Sequence, residues 1–273
     1  MSAAEPSRPP LALATLTAAL TAPGSSWRAV EVLAESPSTN AYVAQRARAG
    51  EAPGLVVVAE HQTAGRGRLD RVWVTPARAA LTTSVLVAPD QVPVVRWPWL
   101  PLLTGLAVVE GVRRATGLAC VLKWPNDVLV GEQKVAGILV ERVERPAGAV
   151  AVVGVGLNVS STRDELPGPT ATSVTLAGAA DVDRGALLVA VLESFGARYD
   201  AWQADLGDAE TGLRTSYTRA CSTLGRTVRV DLPSGARLEG EAVGVGPDGR
   251  LEVVSGGRVH ALGAGDVVHV RPV

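Results

Sequence analysis

The sequence feature that most constrains the fold is a polar pentapeptide placed before two apolar runs. The residues KWPND span positions 123–127, an apolar run follows at 128–130, and a second run extends from Lys134 to Glu141. Residues 131–133 between the runs are GEQ, and this pattern predicts two β-strands joined by a tight polar turn. Lysine, asparagine and aspartate are costly to place beside a core unless they meet a ligand or each other. The segment therefore predicts a binding site at the mouth of a β-hairpin.

A second polar segment follows an apolar run at 55–59. It reads EHQTAGRGRLDRVW over residues 60–73, and two of its glycines alternate with arginines. Glycine allows a backbone with positive φ that passes close to a ligand, and arginine presents a planar fork of donors that suits phosphate. An isolated Arg/Gly loop is more often a solvated turn. The segment therefore indicates a phosphate-binding site only when it is considered together with the pentapeptide.

Taken together, the two segments resemble the KWPND segment, the following lysine and the GRGRRGR loop of biotin protein ligases. Three further features agree with this resemblance: the STN run at 38–40 before a predicted helix, the GVGLN run at 154–158 after a predicted strand, and a β-rich tail. Each is weak alone, since Ser and Thr are common N-caps and the glycine pair lacks the third glycine of a dinucleotide fingerprint. The chain departs from the family loop at Leu69 and Asp70, where the family often has Arg and Gly. This departure bears on the flexibility of the loop, whereas Arg66, Arg68 and Arg71 keep the places of the family's arginines.

The resemblance implies an α+β fold. A class II synthetase-like catalytic domain, with a mixed central β-sheet flanked by helices, would precede a small C-terminal SH3-like β-barrel. The implied activity is that of an ATP-dependent biotin protein ligase, which forms biotinyl-5′-AMP and pyrophosphate and then transfers biotin to one lysine of a biotin carboxyl carrier protein or domain. ATP and Mg²⁺ are the implied cofactors and biotin is the substrate. The Mg²⁺ would be bound with ATP and not by a cage of side chains.

The resemblance also implies roles for individual residues. The implied catalytic residues are Arg68, Arg71, Asp127 and Lys134, with Asp127 orienting the incoming lysine. The implied biotin-binding residues are Ser38, Thr39, Asn40, Gln62, Gly65, Arg66, Arg68, Trp73, Lys134, Gly137 and Leu139. The implied ATP-binding residues are Arg66, Arg68, Arg71, Lys123, Asn126 and Asn158.

Two alternatives remain open at the level of sequence. A lipoate or octanoyl ligase would share the fold, but the GRGR loop and the pentapeptide favour biotin. A non-enzymatic regulator that binds biotin or a nucleotide would belong to another class. Binding alone would not need both lysines and all three loop arginines, which argues against a regulator.

Hydrophobic periodicity predicts the remaining organisation. The predicted helices lie at 11–20, 40–49, 97–116, 184–204 and 212–221, and the aromatic residues of the fourth are expected in the core. From Leu224 onward, short alternating runs separated by PSG, PDG and SGG predict a small barrel. The predicted domains are an N-terminal segment (1–25), disordered in its Pro/Ser-rich residues 1–10, a catalytic domain (26–222) and an SH3-like domain (223–273).

Composition excludes several classes of function. The net charge of −1 gives no bulk attraction to nucleic acid, and the segment before Ser38 lacks a basic helix, so we expect no DNA partner. Two cysteines argue against a disulfide framework or a Cys-rich metal site. Residues 11–20 are too short and too Thr-rich for a signal or membrane segment. We therefore expect a cytoplasmic protein with no membrane partner.

Overall fold

The computed structural model of the chain describes residues 8–232, 235–263 and 265–269. The described α-helices are α1 (Leu13–Leu20), α2 (Thr39–Arg48), α3 (Trp99–Thr116), α4 (Arg184–Ala204) and α5 (Leu213–Ala220). The described strands are β1 (Ala29–Leu33), β2 (Leu55–Ala59), β3 (Gly65–Arg66), β4 (Val72–Trp73), β5 (Ala80–Val87), β6 (Val121–Lys123), β7 (Asp127–Val130), β8 (Gln133–Val143), β9 (Val150–Asn158), β10 (Thr227–Asp231), β11 (Arg237–Val245), β12 (Leu251–Ser255), β13 (Arg258–Leu262) and β14 (Asp266–His269). Residues 1–7 of the segment predicted to be disordered lie outside the described residues, as do residues 233–234, 264 and 270–273 of the predicted SH3-like domain.

Seven strands form one mixed sheet in the order β1-β2-β5-β9-β8-β7-β6. The pair β1–β2 is parallel, and the other neighbouring pairs are antiparallel. The strands β8 and β9 are paired over eight residues, from Ala136 to Val143, and this register sets Gly137 directly opposite Gly156. The predicted mixed central sheet is therefore confirmed.

Helices cover both faces of this sheet. On one face, α2 packs against Leu55 and Val57 of β2. On the other face, Val56 and Val58 belong to the main core, to which α1, α3 and α4 also contribute. Successive side chains of a strand point to opposite faces, so the continuous apolar run in β2 serves both cores. The aromatic residues of α4 are buried in the main core, as predicted.

Local capping signals set the ends of the helices. The Ser38 hydroxyl accepts a hydrogen bond from the backbone N–H of Ala41 at the start of α2. The Asp183 carboxylate accepts from the backbone N–H of Gly185 in the first turn of α4. The helix α3 stops at Gly117, whose φ of 74° lies in the left-handed region that glycine adopts without strain.

The tail forms a second, antiparallel sheet in the order β13-β12-β11-β10-β14. Within the described part of the tail, its edge strands β13 and β14 are not paired with each other, so the predicted SH3-like barrel is present as an antiparallel sheet without detected closure. Two indoles attach it to the rest of the chain: Trp99 Nε1 donates to Pro247 O at 2.7 Å and Trp124 Nε1 donates to Gly249 O at 3.1 Å. Both tryptophans are almost fully buried, so the pentapeptide and the tail share one packed interface.

Within the ranges that the structure describes, no helix has the length and apolar character needed to cross a membrane.

Candidate active site

A cavity of about 480 Å³ lies where the Arg/Gly loop, the pentapeptide hairpin, the start of α2 and the tail sheet meet. The predicted site residues that line it are Ser38, Thr39, Asn40, Gln62, Arg66, Arg68, Arg71, Trp73, Lys123, Asn126, Asp127, Lys134, Gly137, Leu139 and Asn158. Gly65 is a predicted site residue that does not line the cavity. A Cβ atom at this position would lie 2.3 Å from the carbonyl oxygen of Trp73, so the glycine allows β3 and β4 to approach each other.

One end of the cavity is a network of hydroxyl and amide groups at the start of α2. The Gln62 Oε1 atom accepts from the Thr39 backbone N–H at 2.7 Å and from its hydroxyl at 3.1 Å. The Ser84 hydroxyl lies 2.7 Å from Thr39 Oγ1 and 2.6 Å from Asn40 Oδ1. A Cβ at Gly154 would lie 2.0 Å from Asn40 Oδ1, so this network requires glycine there. The GVGLN run was weak evidence in the sequence, and its first glycine has this steric role.

The floor of the cavity is a patch of sheet without side chains, formed by Gly137 and Gly156. The indole of Trp73 lies on this patch: a Cβ at Gly156 would lie 2.6 Å from Trp73 Cε2, and one at Gly137 would lie 3.2 Å from Trp73 Cζ3. The indole Nε1 atom is buried and finds no hydrogen-bond partner in the described part of the chain. Glycine at both positions therefore lets the indole pack flat on the sheet, and the ring itself then lines a slot in the cavity that suits a planar or extended ligand.

Basic side chains converge on the other end of the cavity. Lys134 Nζ lies 2.6 Å from Asp127 Oδ1, and Arg68 Nη1 donates to Asn126 Oδ1 at 2.9 Å. Lys123 also lines the cavity, whereas the Arg66 guanidinium lies 3.0 Å from the Glu141 carboxylate, which also accepts from Asn40. An excess of cations over carboxylates makes this end of the cavity suitable for a phosphate or carboxylate ligand.

The surroundings of this cluster lower the pKa of two of its cationic side chains. Burial lowers the pKa of Lys123, and the neighbouring charges of Lys134 and Arg71 lower it further, whereas Asp127 opposes the shift. Burial also lowers the pKa of Arg68, again with a contribution from Arg71 and opposition from Asp127. An anionic ligand would relieve both the repulsion and the loss of hydration, so the cluster is prepared for anion binding.

The loop tip adopts a conformation that glycine would adopt more easily. The φ angles of Leu69 and Asp70 are 53° and 57°, both in the left-handed region. The departure from the family loop thus falls where two consecutive non-glycine residues accept a backbone cost of about 1 kcal/mol each.

The tail contributes a wall to the cavity, and none of the residues in that wall was among the predicted site residues. Asp231, Asp266, Val267 and Val268 line the cavity, and the Asp266 carboxylate forms an ion pair with Arg71 of the loop. The two partners are separated by 195 residues in sequence, so neither the alternating pattern of β14 nor the loop composition reveals their contact.

The chemistry of the donor set suits a magnesium ion that arrives with a polyphosphate. In the part of the chain that the structure describes, no group of three or more His, Cys, Asp or Glu side chains could hold a metal ion. Mg²⁺ commonly keeps several waters and takes phosphate oxygens with few protein ligands. The amide oxygens of Asn158 and Asn126 would be its protein partners here. The Nδ2 of Asn158 donates to Thr172 O at 3.0 Å, which orients that amide.

The chain is similar to proteins of known family. Residues 32–158 match the Biotin/lipoate A/B protein ligase family. The biotin–[acetyl-CoA-carboxylase] ligase of Mycobacterium tuberculosis is 42% identical over 268 residues, which cover 97% of this chain and 97% of that relative. The chain belongs to the biotin protein ligase family. The bifunctional ligase/repressor BirA of Bacillus subtilis is a further family member, 32% identical over 202 residues, which cover 72% of this chain and 61% of BirA.

The family relationship extends to solved structures. The biotin protein ligase from Aquifex aeolicus in complex with biotin and ATP superposes with a TM-score of 0.75 at 26% identity, over 90% of this chain and 100% of that chain.

Proposed function

We propose that this chain is an ATP-dependent biotin protein ligase that modifies a biotin carboxyl carrier domain. The observation that carries the proposal is one cavity with three different walls: a hydroxyl and amide network at Thr39 and Gln62, a glycine floor under Trp73, and a cationic end around Lys134. These walls complement the ureido ring, the acyl chain and the carboxylate of biotin in that order. Family membership supplies the reaction, since the M. tuberculosis relative is a biotin–[acetyl-CoA-carboxylase] ligase.

In the first step, a carboxylate oxygen of biotin attacks the α-phosphorus of ATP, and the bond to the β-phosphate breaks. The products are biotinyl-5′-AMP and pyrophosphate. Two anions must approach each other, so positive charge near the reacting atoms stabilises the transition state. Lys134 and Arg68 are the proposed source of that charge at the carboxylate–phosphate junction. Arg66, Arg71 and Lys123 are proposed to bind the phosphates, and Mg²⁺ held beside Asn158 would neutralise phosphate charge.

In the second step, the neutral amine of the acceptor lysine attacks the acyl carbon of the mixed anhydride. An amide forms, the bond to the phosphate oxygen breaks and AMP leaves. Asp127 is proposed to orient the incoming ammonium and to accept its proton, because its carboxylate lines the cavity and already binds one lysine ammonium, that of Lys134. The Arg/Gly loop would cover the anhydride and exclude water that hydrolyses it.

The partner and location follow from the reaction. The acceptor is a carrier domain that presents one lysine to the cavity mouth. The use of ATP and the two free cysteines, Cys120 and Cys221, favour a cytoplasmic location for this reaction, because thiols stay reduced there.

The direct test is biotin-dependent release of pyrophosphate from Mg·ATP, followed by mass spectrometry of an added carrier domain. We expect pyrophosphate release with biotin and a mass increase of one biotinyl group on the carrier. Lipoate and octanoate serve as controls for the other ligases of the same fold. Pyrophosphate release with lipoate but not with biotin would show that the chain is a lipoate ligase. Binding of biotin without any pyrophosphate release would favour a non-enzymatic regulator.

A further inference from the structure

We infer that Glu60 and Arg184 form a buried clamp that positions the Arg/Gly loop for the reaction, although neither residue lines the cavity described above. The pair is called the root clamp below. The two are positioning residues, since they act through the loop and not on the substrate. The kinetic consequence of the clamp rests on the proposed function, whereas its effect on the loop does not.

The two ends of the loop at residues 61–77 lie next to each other. The backbone N–H of Arg78 donates to the carbonyl oxygen of Glu60 at 2.7 Å, which closes the base of the loop. Between these two residues lie the predicted loop residues of the site, Gln62, Arg66, Arg68, Arg71 and Trp73. A shift at the base therefore displaces most of the side chains proposed to hold biotin and the phosphates.

One guanidinium fixes both strands that flank the loop. Arg184 Nη2 lies 2.8 Å from Glu60 Oε2, next to the end of β2, and Arg184 Nη1 donates to the carbonyl oxygen of Ala80, the first residue of β5, at 3.3 Å. Arg184 is the first residue of α4, and its side chain and that of Glu60 are only 6% and 8% exposed. The first residue of α4 thus contacts both ends of the loop.

The N-terminal segment at residues 8–11 completes the root clamp. The backbone N–H of Leu11 donates to Glu60 Oε1, and Arg184 Nη2 donates to the carbonyl oxygen of Pro9 at 2.7 Å. Arg8 forms a two-point contact with the Glu165 carboxylate at 2.6 and 3.1 Å, which holds this segment in place. Both oxygens of the Glu60 carboxylate are therefore occupied.

Stability alone is a poor explanation for this arrangement. A buried ion pair contributes little compared with apolar residues of the same volume, because removing both charges from water offsets their attraction. What the ion pair adds is direction, because the guanidinium donates and the carboxylate accepts hydrogen bonds only at defined angles. The loop tip, by contrast, has exposed residues such as Leu69 and Val72 and few apolar anchors, so its position depends on its base.

The test is the double variant Glu60→Gln/Arg184→Met, which removes both charges and leaves no lone buried ion. Limited trypsin digestion reports on the loop without any catalysis, because Arg66, Arg68 and Arg71 are cleavage sites. We expect cleavage within 61–77 to be at least 10-fold faster than in the wild type, with unchanged cleavage elsewhere, because proteolysis follows the population of locally open states. We also expect kcat for adenylate formation to fall at least fivefold with a smaller change in the KM for biotin.

The matched control is Leu192→Ala, a buried position on the same helix that does not contact the loop. It should lower the melting temperature and leave both the loop cleavage rate and kcat unchanged. A folded double variant with wild-type loop cleavage would overturn the inference, as would equal acceleration in the Leu192→Ala protein. If the double variant does not fold, Arg184→Lys, which keeps the charge but loses the fork to Ala80, is judged by the same cleavage rates. A wild-type chain without ligase activity would defeat the proposed function, while the cleavage result would still decide the clamp.

Discussion

At the scale of single residues, Lys134 and Asp127 form the pair on which the proposed chemistry depends. Lys134 is 34% exposed and Asp127 is 22% exposed, so the ion pair is accessible to a ligand but not fully hydrated. We expect Lys134→Ala to slow adenylate formation about 100-fold, roughly 2.7 kcal/mol, since the lost charge acts mainly in the transition state. Pyrophosphate release under saturating biotin and ATP measures this rate, and thermal unfolding shows whether the variant is folded.

Two further variants separate the possible causes of that loss. Removing Lys134 also leaves the Asp127 carboxylate unpaired near the phosphates, so Lys134→Ala/Asp127→Asn should remain slow if the ammonium itself is needed. Lys123→Ala gives the cost of removing another lysine from the same cavity. Near wild-type adenylation by a folded Lys134→Ala protein would return this residue to the role of an ordinary surface lysine.

A second residue-scale prediction concerns the glycine floor. In Gly156→Ala, the new methyl group would lie 2.6 Å from Trp73 Cε2, which is too close, so the indole must leave the floor. We expect the KM for biotin to rise at least 10-fold, about 1.4 kcal/mol, because the slot changes shape. The corresponding change at Gly137 should have a smaller effect, since its nearest atoms are the flexible end of Lys134 at 3.1 Å. An equal or larger effect at Gly137 would refute the slot at Gly156.

At the scale of elements, the loop tip is the part that should respond most to ligand. Residues 67–71 are held by two backbone hydrogen bonds, from Gly67 N–H to Arg71 O at 2.7 Å and from Arg71 N–H to Arg68 O at 3.2 Å. The tip also includes the strained φ angles of Leu69 and Asp70. We expect amide exchange at 65–72 to slow markedly with biotin and ATP, while α4 exchanges at the same rate in both states. Equal protection of the tip with and without ligands would show that it does not close on them.

A histidine in the last described strand, β14, leads to a prediction about how folding stability depends on pH. His269 lies 3.1 Å from the Thr223 hydroxyl, and burial, together with the charges of Lys123 and Arg226, lowers its pKa to about 4. The folded protein therefore favours neutral His269, whereas the unfolded chain binds a proton near pH 6.5. It follows that folding stability falls as the pH drops from about 6.5 toward 4. We expect the urea midpoint to fall less over this range in His269→Gln, and an identical fall in both proteins would contradict the assignment.

Helices and strands were predictable to the extent that local signals define them. The helix α4 spans the predicted residues 184–204 because its apolar face is continuous and Asp183 caps it. The predicted helix at 97–116 begins two residues later, since Trp97 and Pro98 precede its first turn. The open tail sheet could not be inferred from alternating runs, because alternation gives the faces of strands and not whether the two edge strands meet.

At the scale of the whole molecule, the site residues were predictable as a set but their partners were not. A family motif predicts which side chains line the binding site, because the ligand requires those chemical groups. It does not predict that Arg184 binds Glu60 across 124 residues or that Asp266 binds Arg71 from the tail sheet. Such contacts depend on the packing of α4 and of the tail, which composition and periodicity do not determine.

The contact between Arg71 and Asp266 leads to a prediction about how the tail affects ATP binding. In the structure, the Asp266 carboxylate occupies a guanidinium that is proposed to bind phosphate, so the tail competes with ATP for Arg71. Asp266→Asn should lower the KM for ATP by about two- to fivefold, up to about 1 kcal/mol, the usual range for a partly exposed ion pair. A point substitution tests this contact more specifically than deletion of the tail, because deletion would also expose Trp99 and Trp124.

The matched control for this prediction is Asp231→Asn. Asp231 also lines the cavity, but its carboxylate is paired within the tail, with Arg237 at 2.9 Å and Arg229 at 3.7 Å. If the tail acts through Arg71, only the Asp266→Asn variant should bind ATP more tightly, and adding Arg71→Ala to both the wild type and that variant should abolish the difference between them. An equal gain in both aspartate variants would mean that ATP responds to the total negative charge of the wall and not to competition for one arginine.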